Sequence, residues 1–140
     1  MSPRADLEAI FRAAVAACRA ELLLPPHLPP PPKGRTIVLA LGKAAIPMAQ
    51  VVEASGRYPR LEGLAVTRHG FPGALERLRI VHAGHPVPDA ASAAAGQALL
   101  DLAQGAGPDD LVIVLLSGGA SALAAAPGEG LTLAAKQALT

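Results

Sequence analysis

The run Leu111–Leu116, LVIVLL, holds six apolar residues without a polar break and stops abruptly at Ser117-Gly118-Gly119-Ala120-Ser121. A short apolar run closed by glycines reads as a strand covered on both faces, the kind found in parallel sheets. The glycine-rich turn then lies at the strand's carboxyl end, where open α/β sheets bind their ligands. Adjacent glycines let the backbone approach a ligand closely, and the hydroxyls of Ser117 and Ser121 add donors suited to phosphate or carboxylate oxygens. The plainer reading is a tight strand-to-helix connection with no ligand, and the stretch alone does not separate the two.

Three further strands are predicted upstream: Thr36–Leu41 (TIVLAL), Gly63–Thr67 (GLAVT) and Arg79–Ala83 (RIVHA). Helices are expected between them. One follows Gly42-Lys43-Ala44-Ala45 and runs to about Ala54, with Met48, Val51 and Val52 facing inward. Pro47 removes a backbone donor, so this helix starts late, with the proline in its first turn and residues 42–46 as a loop. A second helix spans 90–104, N-capped by Asp89, with Ala94, Ala95, Ala98, Leu99 and Leu102 as its buried stripe and Gly105 as its end. Capping is the simpler role for Asp89 and direct ligand contact the alternative. The alternation of strands and helices argues an α/β fold, a mostly parallel sheet with helices on both faces.

The amino-terminal end is organised differently. Ser2 caps and Pro3 opens a helix over residues 1–24, in which Leu7, Ile10, Phe11, Ala14, Ala17, Cys18 and Leu22 form one apolar face. Cys18 lies on that face and reads as core packing. Residues 25–35, beginning PPHLPPPP, are a stiff proline-rich linker, and residues 36–140 form the sheet domain. At the other end, LTLAAKQALT is a helix capped by Thr132 that stops in mid-pattern, so the fold is expected to continue past Thr140.

Composition excludes several classes. The net charge is +1 and aromatics are 2% of the chain, a poor match to a nucleic-acid surface, which needs a basic field and stacking rings. No apolar run approaches the ~20 residues of a membrane span, and Asp6, Glu8 and Arg12 interrupt any signal-peptide core. Cys18 is the single cysteine, so no internal disulfide forms and a reducing, cytoplasmic setting is the expectation. A half-built sheet leaves unpaired edges, from which self-association is expected.

Four strand ends converge on one rim of a parallel sheet, carrying Lys43, Arg68-His69, His85 to Asp89, and the SGGAS turn. Lys43 beyond a buried strand, at a helix start, conflicts with the helix dipole, and an anion would offset that conflict; a solvated surface lysine is the alternative. His69 and His85 have no carboxylate or cysteine at metal-ligand spacing, so no metal site is assigned to them, and His82 within its strand reads as structural. Neither G-x-G-x-x-G nor G-x-x-x-x-G-K-[ST] occurs, and SGGAS lacks the order of a nucleophile elbow. What remains is an anion-friendly cleft with a lysine and backbone donors.

The segments LGKAAIPMA, VTRHG, AGHPVPD and LLSGGASALAAAPGEGLTLAAKQAL, in that order, resemble the amino-terminal part of the bacterial glycerate 2-kinases of the MOFRL group, some members of which are labelled hydroxypyruvate reductase. The resemblance covers nearly the whole chain from Ile37 onward. It implies a Rossmann-like domain, part of a two-domain enzyme with its active site between the domains, the second being absent from this chain. It implies ATP-dependent phosphorylation of D-glycerate to 2-phosphoglycerate, with a divalent metal, normally Mg²⁺. Matched residue by residue, it gives Lys43 charge neutralisation on the transferred phosphate and gives Gly42, Ser117, Gly118, Gly119 and Ser121 a phosphate cradle. It places His85 and Asp89 in the cleft. Ala120 stands where the family usually has a third glycine, and Pro47 where a small residue is common. A nicotinamide-dependent hydroxypyruvate reductase is the alternative enzyme, and a non-catalytic module binding a phosphorylated metabolite is the alternative of another class.

Overall fold

A computed structural model describes residues 2–139. Four strands, β1 (Thr36–Leu41), β2 (Leu61–Arg68), β3 (Arg79–Ala83) and β4 (Leu111–Leu116), form one sheet in the order β3-β2-β1-β4. Every pairing is parallel. Thr36 of β1 stands opposite Leu61 on one side and Leu111 on the other, so three strands start level. The predicted α/β architecture is observed, and β1 and β3 have the bounds expected of them.

Strand alternation builds two cores. Val38 and Ala40 of β1 face one side with Ala65, Ile113 and Leu115; the helix α3 (Ala45–Ala54) closes that side with Ala45, Ala49 and Val52. Ile37 and Leu39 face the other side with Leu64 and Val66, beneath Ala95 and Leu99 of the helix α4 (Ala90–Gln104). Pro47 is the third residue of α3, in the first turn as expected, where its missing N–H costs no helical bond; the helix nevertheless starts at Ala45, so Ala45 and Ile46 are helical and not part of the expected 42–46 loop, because the first-turn N–H groups need no helical partner. In α4 the buried stripe includes Gly96 in place of the expected Ala94, which is exposed. A Cβ at Gly96 would sit 2.6 Å from the Ala125 carbonyl oxygen, so the helix turns its bare backbone to that neighbour.

The amino-terminal region departs from expectation. The single helix predicted to residue 24 is broken: α1 (Pro3–Ala17) ends at Cys18, and α2 (Ala20–Leu23) follows after an extended Arg19. Ser2 does cap α1, accepting from the Ala5 N–H at 3.3 Å. No residue of α1 is buried, and Cys18, expected in a core, is an exposed free thiol. The reason is that the apolar stripe of α1 meets no core among the described residues; α2 is the piece that packs on α3. The proline-rich segment is docked onto the domain. After a 3-10 turn at Pro25–His27, Leu28 is buried, its carbonyl accepts from Arg57, and the Tyr58 hydroxyl donates to the Pro29 carbonyl at 2.8 Å.

Strand β4 also differs. Its unbroken apolar run predicts cover on both faces, yet Val114 and Leu116 are 58% and 69% exposed. The sheet order places β4 at the edge, and the helix that follows it, α5 (Ala120–Leu123), has only four residues. The terminal helix α6 (Leu133–Ala138) is capped by Thr132, which accepts from the Ala135 N–H at 3.1 Å.

The amino ends of the strands are locked by charge. Arg35 donates to Asp110 at 2.8 Å, to Glu62 at 2.9 Å and to the Gly105 carbonyl at 2.8 Å, joining the starts of β1, β2 and β4. Asp110 also accepts from the backbone of Arg35 and Gly107. The Arg35 guanidinium, then these amides, hold the Asp110 carboxyl far below the usual carboxylate range. A carboxylate depressed in the folded state stabilises the fold above its unfolded pKa and loses that contribution as pH falls. Asp110→Asn is therefore expected to lower the melting temperature near neutral pH and to flatten the loss of stability below about pH 4, measured by thermal melts across pH. Cys18 is expected to titrate as one full equivalent with a thiol reagent in native buffer, without denaturant.

Candidate anion site at the sheet switch point

From β1 the chain crosses by α3 to β2; from β3 it crosses back by α4 to β4, on the other side of β1. The carboxyl ends of β1 and β4 are thus where the winding reverses, the place at which open α/β sheets hold ligands. Two turns meet there, Gly42-Lys43-Ala44 and Ser117-Gly118-Gly119.

Backbone and one hydroxyl stitch them together. The Ser117 N–H and Oγ–H both donate to the Leu41 carbonyl, at 2.9 and 3.1 Å, and Ser117 Oγ accepts from the Ala44 N–H at 3.0 Å. The Lys43 N–H donates to the Gly118 carbonyl at 2.9 Å. Gly42 adopts φ +113°, and a Cβ on it would overlap Ser117, so no other residue fits this crossing without displacement. Ser117 spends its hydroxyl on the stitch. Ser121 is exposed at the rim.

The turn presents donors outward. Among the described residues, the amides of Gly118, Gly119, Ala120 and Ser121 make no hydrogen bond to protein, four consecutive donors beyond one strand. Such runs of free amides form anion-binding concavities. Gly119 takes the left-handed conformation at φ +90°, whereas Ala120 has a negative φ, so alanine in place of the family's third glycine carries no backbone strain. Lys43 is exposed and makes no ion pair among the described residues. Its Cε lies 4.0 Å from where a Gly118 Cβ would be and 3.5 Å from where a Gly119 Cβ would be. The ammonium-bearing chain therefore lies along the glycines. Sequence convergence placed these groups on one rim, and the fold brings them together.

His85 joins them from the β3 side. A Cβ on Gly119 would lie 2.8 Å from both Cδ2 and Nε2 of the His85 ring, so the ring seats on the glycine. Asp89 stands farther back as the N-cap of α4, with Oδ1 accepting from the Ser92 N–H at 2.8 Å. Its Oδ2 is 2.7 Å from His69 Nε2. The His69 contact, then the Ser92 amide, hold the Asp89 carboxyl far below the ordinary range. Capping was the simpler sequence reading and is observed. The pairing with His69 was missed, although both residues stood at predicted strand ends. An apolar groove of about 1040 Å³, lined by Phe11, Val15, Met48 and Pro47, reaches Ala44 and Ser117 from the α1 side.

The described residues contain no group of three His, Cys, Asp or Glu able to hold a metal ion, and no helix long and apolar enough to cross a membrane.

Comparison with known proteins places the fold and the family. A protein of Agrobacterium vitis named "Putative hydroxypyruvate reductase" is 41% identical over 139 residues, spanning 99% of this chain and 32% of its own length. The glycerate 2-kinase of Pyrococcus horikoshii is 41% identical over 101 residues, 72% of this chain and 22% of that one. The crystal structure of a glycerate kinase from Thermotoga maritima superposes with a TM-score of 0.78 at 31% identity, covering 94% of this chain and 32% of that chain. The chain spans a third or less of each relative. Residues 6–140 match the family described as "Domain of unknown function (DUF4147)", and the chain belongs to that family.

Proposed function

We propose that this chain supplies the phosphate-handling part of a glycerate 2-kinase, which transfers the terminal phosphoryl group of ATP to the 2-hydroxyl of D-glycerate. The observation that carries the reading is the exposed Lys43 side chain lying along Gly118 and Gly119 beside four unspent amides, at the switch point of a parallel sheet. In the transfer, the hydroxyl oxygen bonds to the terminal phosphorus, the bond to the bridging oxygen breaks, ADP leaves with that bond's electron pair, and the hydroxyl proton passes to solvent water. Such transfers need positioning and charge stabilisation more than covalent help. The amides of Gly118 to Ser121 would receive phosphoryl oxygens, and the Lys43 ammonium would offset their charge. Gly42 and Ser117 hold the two turns in register. His85 and Asp89 shape the far wall.

The bare glycine backbone fits a phosphate chain, because a Cβ at Gly118 would meet only the Lys43 side chain, at 4.0 Å, on an otherwise open face. Mg²⁺, when bound with the nucleotide, would supply additional neutralisation of the phosphates. The name of the Agrobacterium relative favours a second reading, a nicotinamide-dependent hydroxypyruvate reductase, which lacks the G-x-G-x-x-G fingerprint in this chain. A free thiol and a metabolic substrate suit the cytoplasm, and the bare edge of β4 suits self-association, which sizing chromatography reads directly.

MgATP is expected to bind the chain in calorimetry, and Lys43→Ala to weaken that binding about tenfold or more, the worth of one charge-assisted contact. Unchanged affinity in Lys43→Ala overturns the reading; NADH oxidation with hydroxypyruvate establishes the reductase instead. Spanning a third of its relatives, the 140-residue chain is expected to form no 2-phosphoglycerate from ATP and D-glycerate alone. Gly119→Ala is expected to cost roughly 1–2 kcal/mol from its left-handed φ alone, and to displace His85. Ala120→Gly, at a position of negative φ, is expected to bring no gain in stability. Thermal melts compare the two.

A further inference from the structure

We infer that His69 is a positioning residue for the anion corner, acting through Asp89 on the segment that carries His85. Its consequence for ligand affinity rests on the function proposed above; the positioning itself rests on geometry alone.

Residues 84–89 leave β3 and enter α4, and both ends of the segment are pinned to one buried hydroxyl. Ser92 Oγ accepts from the Gly84 N–H at 3.2 Å and from the Asp89 N–H at 3.1 Å, and Ser92 is fully buried. Gly84 leaves no room for a side chain, since its Cβ would lie 2.5 Å from the Val87 carbonyl oxygen and 2.9 Å from Asp89 Cγ. The loop is therefore a closed ring of contacts from which the His85 ring projects onto Gly119. Asp89 is the corner of that ring.

Capping α4 occupies only Asp89 Oδ1, which takes the Ser92 N–H and the Ser92 hydroxyl. A serine would cap equally well. The second oxygen is surplus to the cap, and it is the one that meets His69 at 2.7 Å. The His69 backbone is itself fixed, because its main-chain N–H donates to the Ala83 carbonyl at 3.1 Å, tying the end of β2 to the end of β3. The pair thus anchors the corner of the 84–89 ring to the sheet rather than to its own helix. Loss of that anchor leaves the carboxylate held through Oδ1 alone, from its own helix, and the nearest consequence is the seat of His85 on Gly119, beside Lys43. A shift of a fraction of an ångström there matters, since displacement of a positioning group weakens productive binding steeply.

The discriminating variants are Asp89→Ser, which keeps the cap and removes the oxygen that faces His69, together with His69→Ala and the partial replacement His69→Gln. Amide spectra of the isotope-labelled 140-residue chain are recorded for each, along with MgATP titrations. Both Asp89→Ser and His69→Ala are expected to shift the Gly118, Gly119 and His85 resonances and to weaken MgATP about tenfold. His69→Gln, which retains a donor, is expected to return the resonances towards the parent. If His69→Ala and Asp89→Ser leave Gly118, Gly119 and His85 unmoved, the positioning role is overturned. It is equally overturned if the shifts are confined to α4, which a lost cap alone would produce. Failure of the kinase reading looks different: MgATP affinity is then insensitive to Lys43→Ala, while the resonance test of His69 still gives its answer.

Discussion

One hydrogen-bonded crossing holds the carboxyl end of this sheet together. Ser117 donates twice to the Leu41 carbonyl and takes the Ala44 amide, while Lys43 hands its own amide to Gly118. Each of these bonds links a residue at or just past the end of β1 to one just past β4, 73 or more positions away in the chain for the serine contacts. The crossing spends the polar groups on its inner side. It leaves the Lys43 side chain and the glycine amides on its outer side with no partner among the described residues, which is the condition for binding an anion from solution.

The two ends of the sheet therefore use polar groups in opposite ways. At the amino ends, Arg35 is matched by Asp110 and Glu62, and the charges close on one another. At the carboxyl ends, Lys43 makes no ion pair among the described residues, and the Asp89 carboxylate is already taken by His69 and the α4 cap. Paired charge stabilises a fold; unpaired donors of one sign at a switch point recruit a ligand. The β2–β3 connection shows the same economy, with Glu53 of α3 accepting from the amides of Glu76, Arg77 and Leu78 in the absence of a crossover helix.

Apolar surface is distributed less evenly. Strands β1 and β2 are buried throughout their central residues, whereas the edge strand β4 exposes Val114 and Leu116, and α1 exposes Leu7, Ile10 and Phe11. The apolar groove beside the anion corner is lined from the α1 and α3 side, by Phe11, Val15, Pro47 and Met48, whereas Val114 and Leu116 alternate with the buried Ile113 and Leu115 and face the opposite side of the sheet. In a chain that spans a third or less of its relatives, the corner is the self-contained feature and its surroundings are the open ones.

Local periodicity and punctuation determined most of the elements: the alternating and unbroken apolar runs gave β1, β3 and β4, Asp89 and Thr132 marked helix starts, and Pro47 was confined to the first turn of α3. The convergence of Lys43, His85 and the SGGAS turn on one rim also followed, because a parallel sheet puts all its carboxyl ends on the same side. Burial did not follow, since an apolar stripe states only what a helix or strand can cover. Strand order alone made β4 an edge, and the absence of a facing core alone left α1 and Cys18 in the open. The pairings of Arg35 with Asp110 and of His69 with Asp89 were likewise decided in three dimensions, because they join residues 75 and 20 positions apart whose meeting depends on register and strand order.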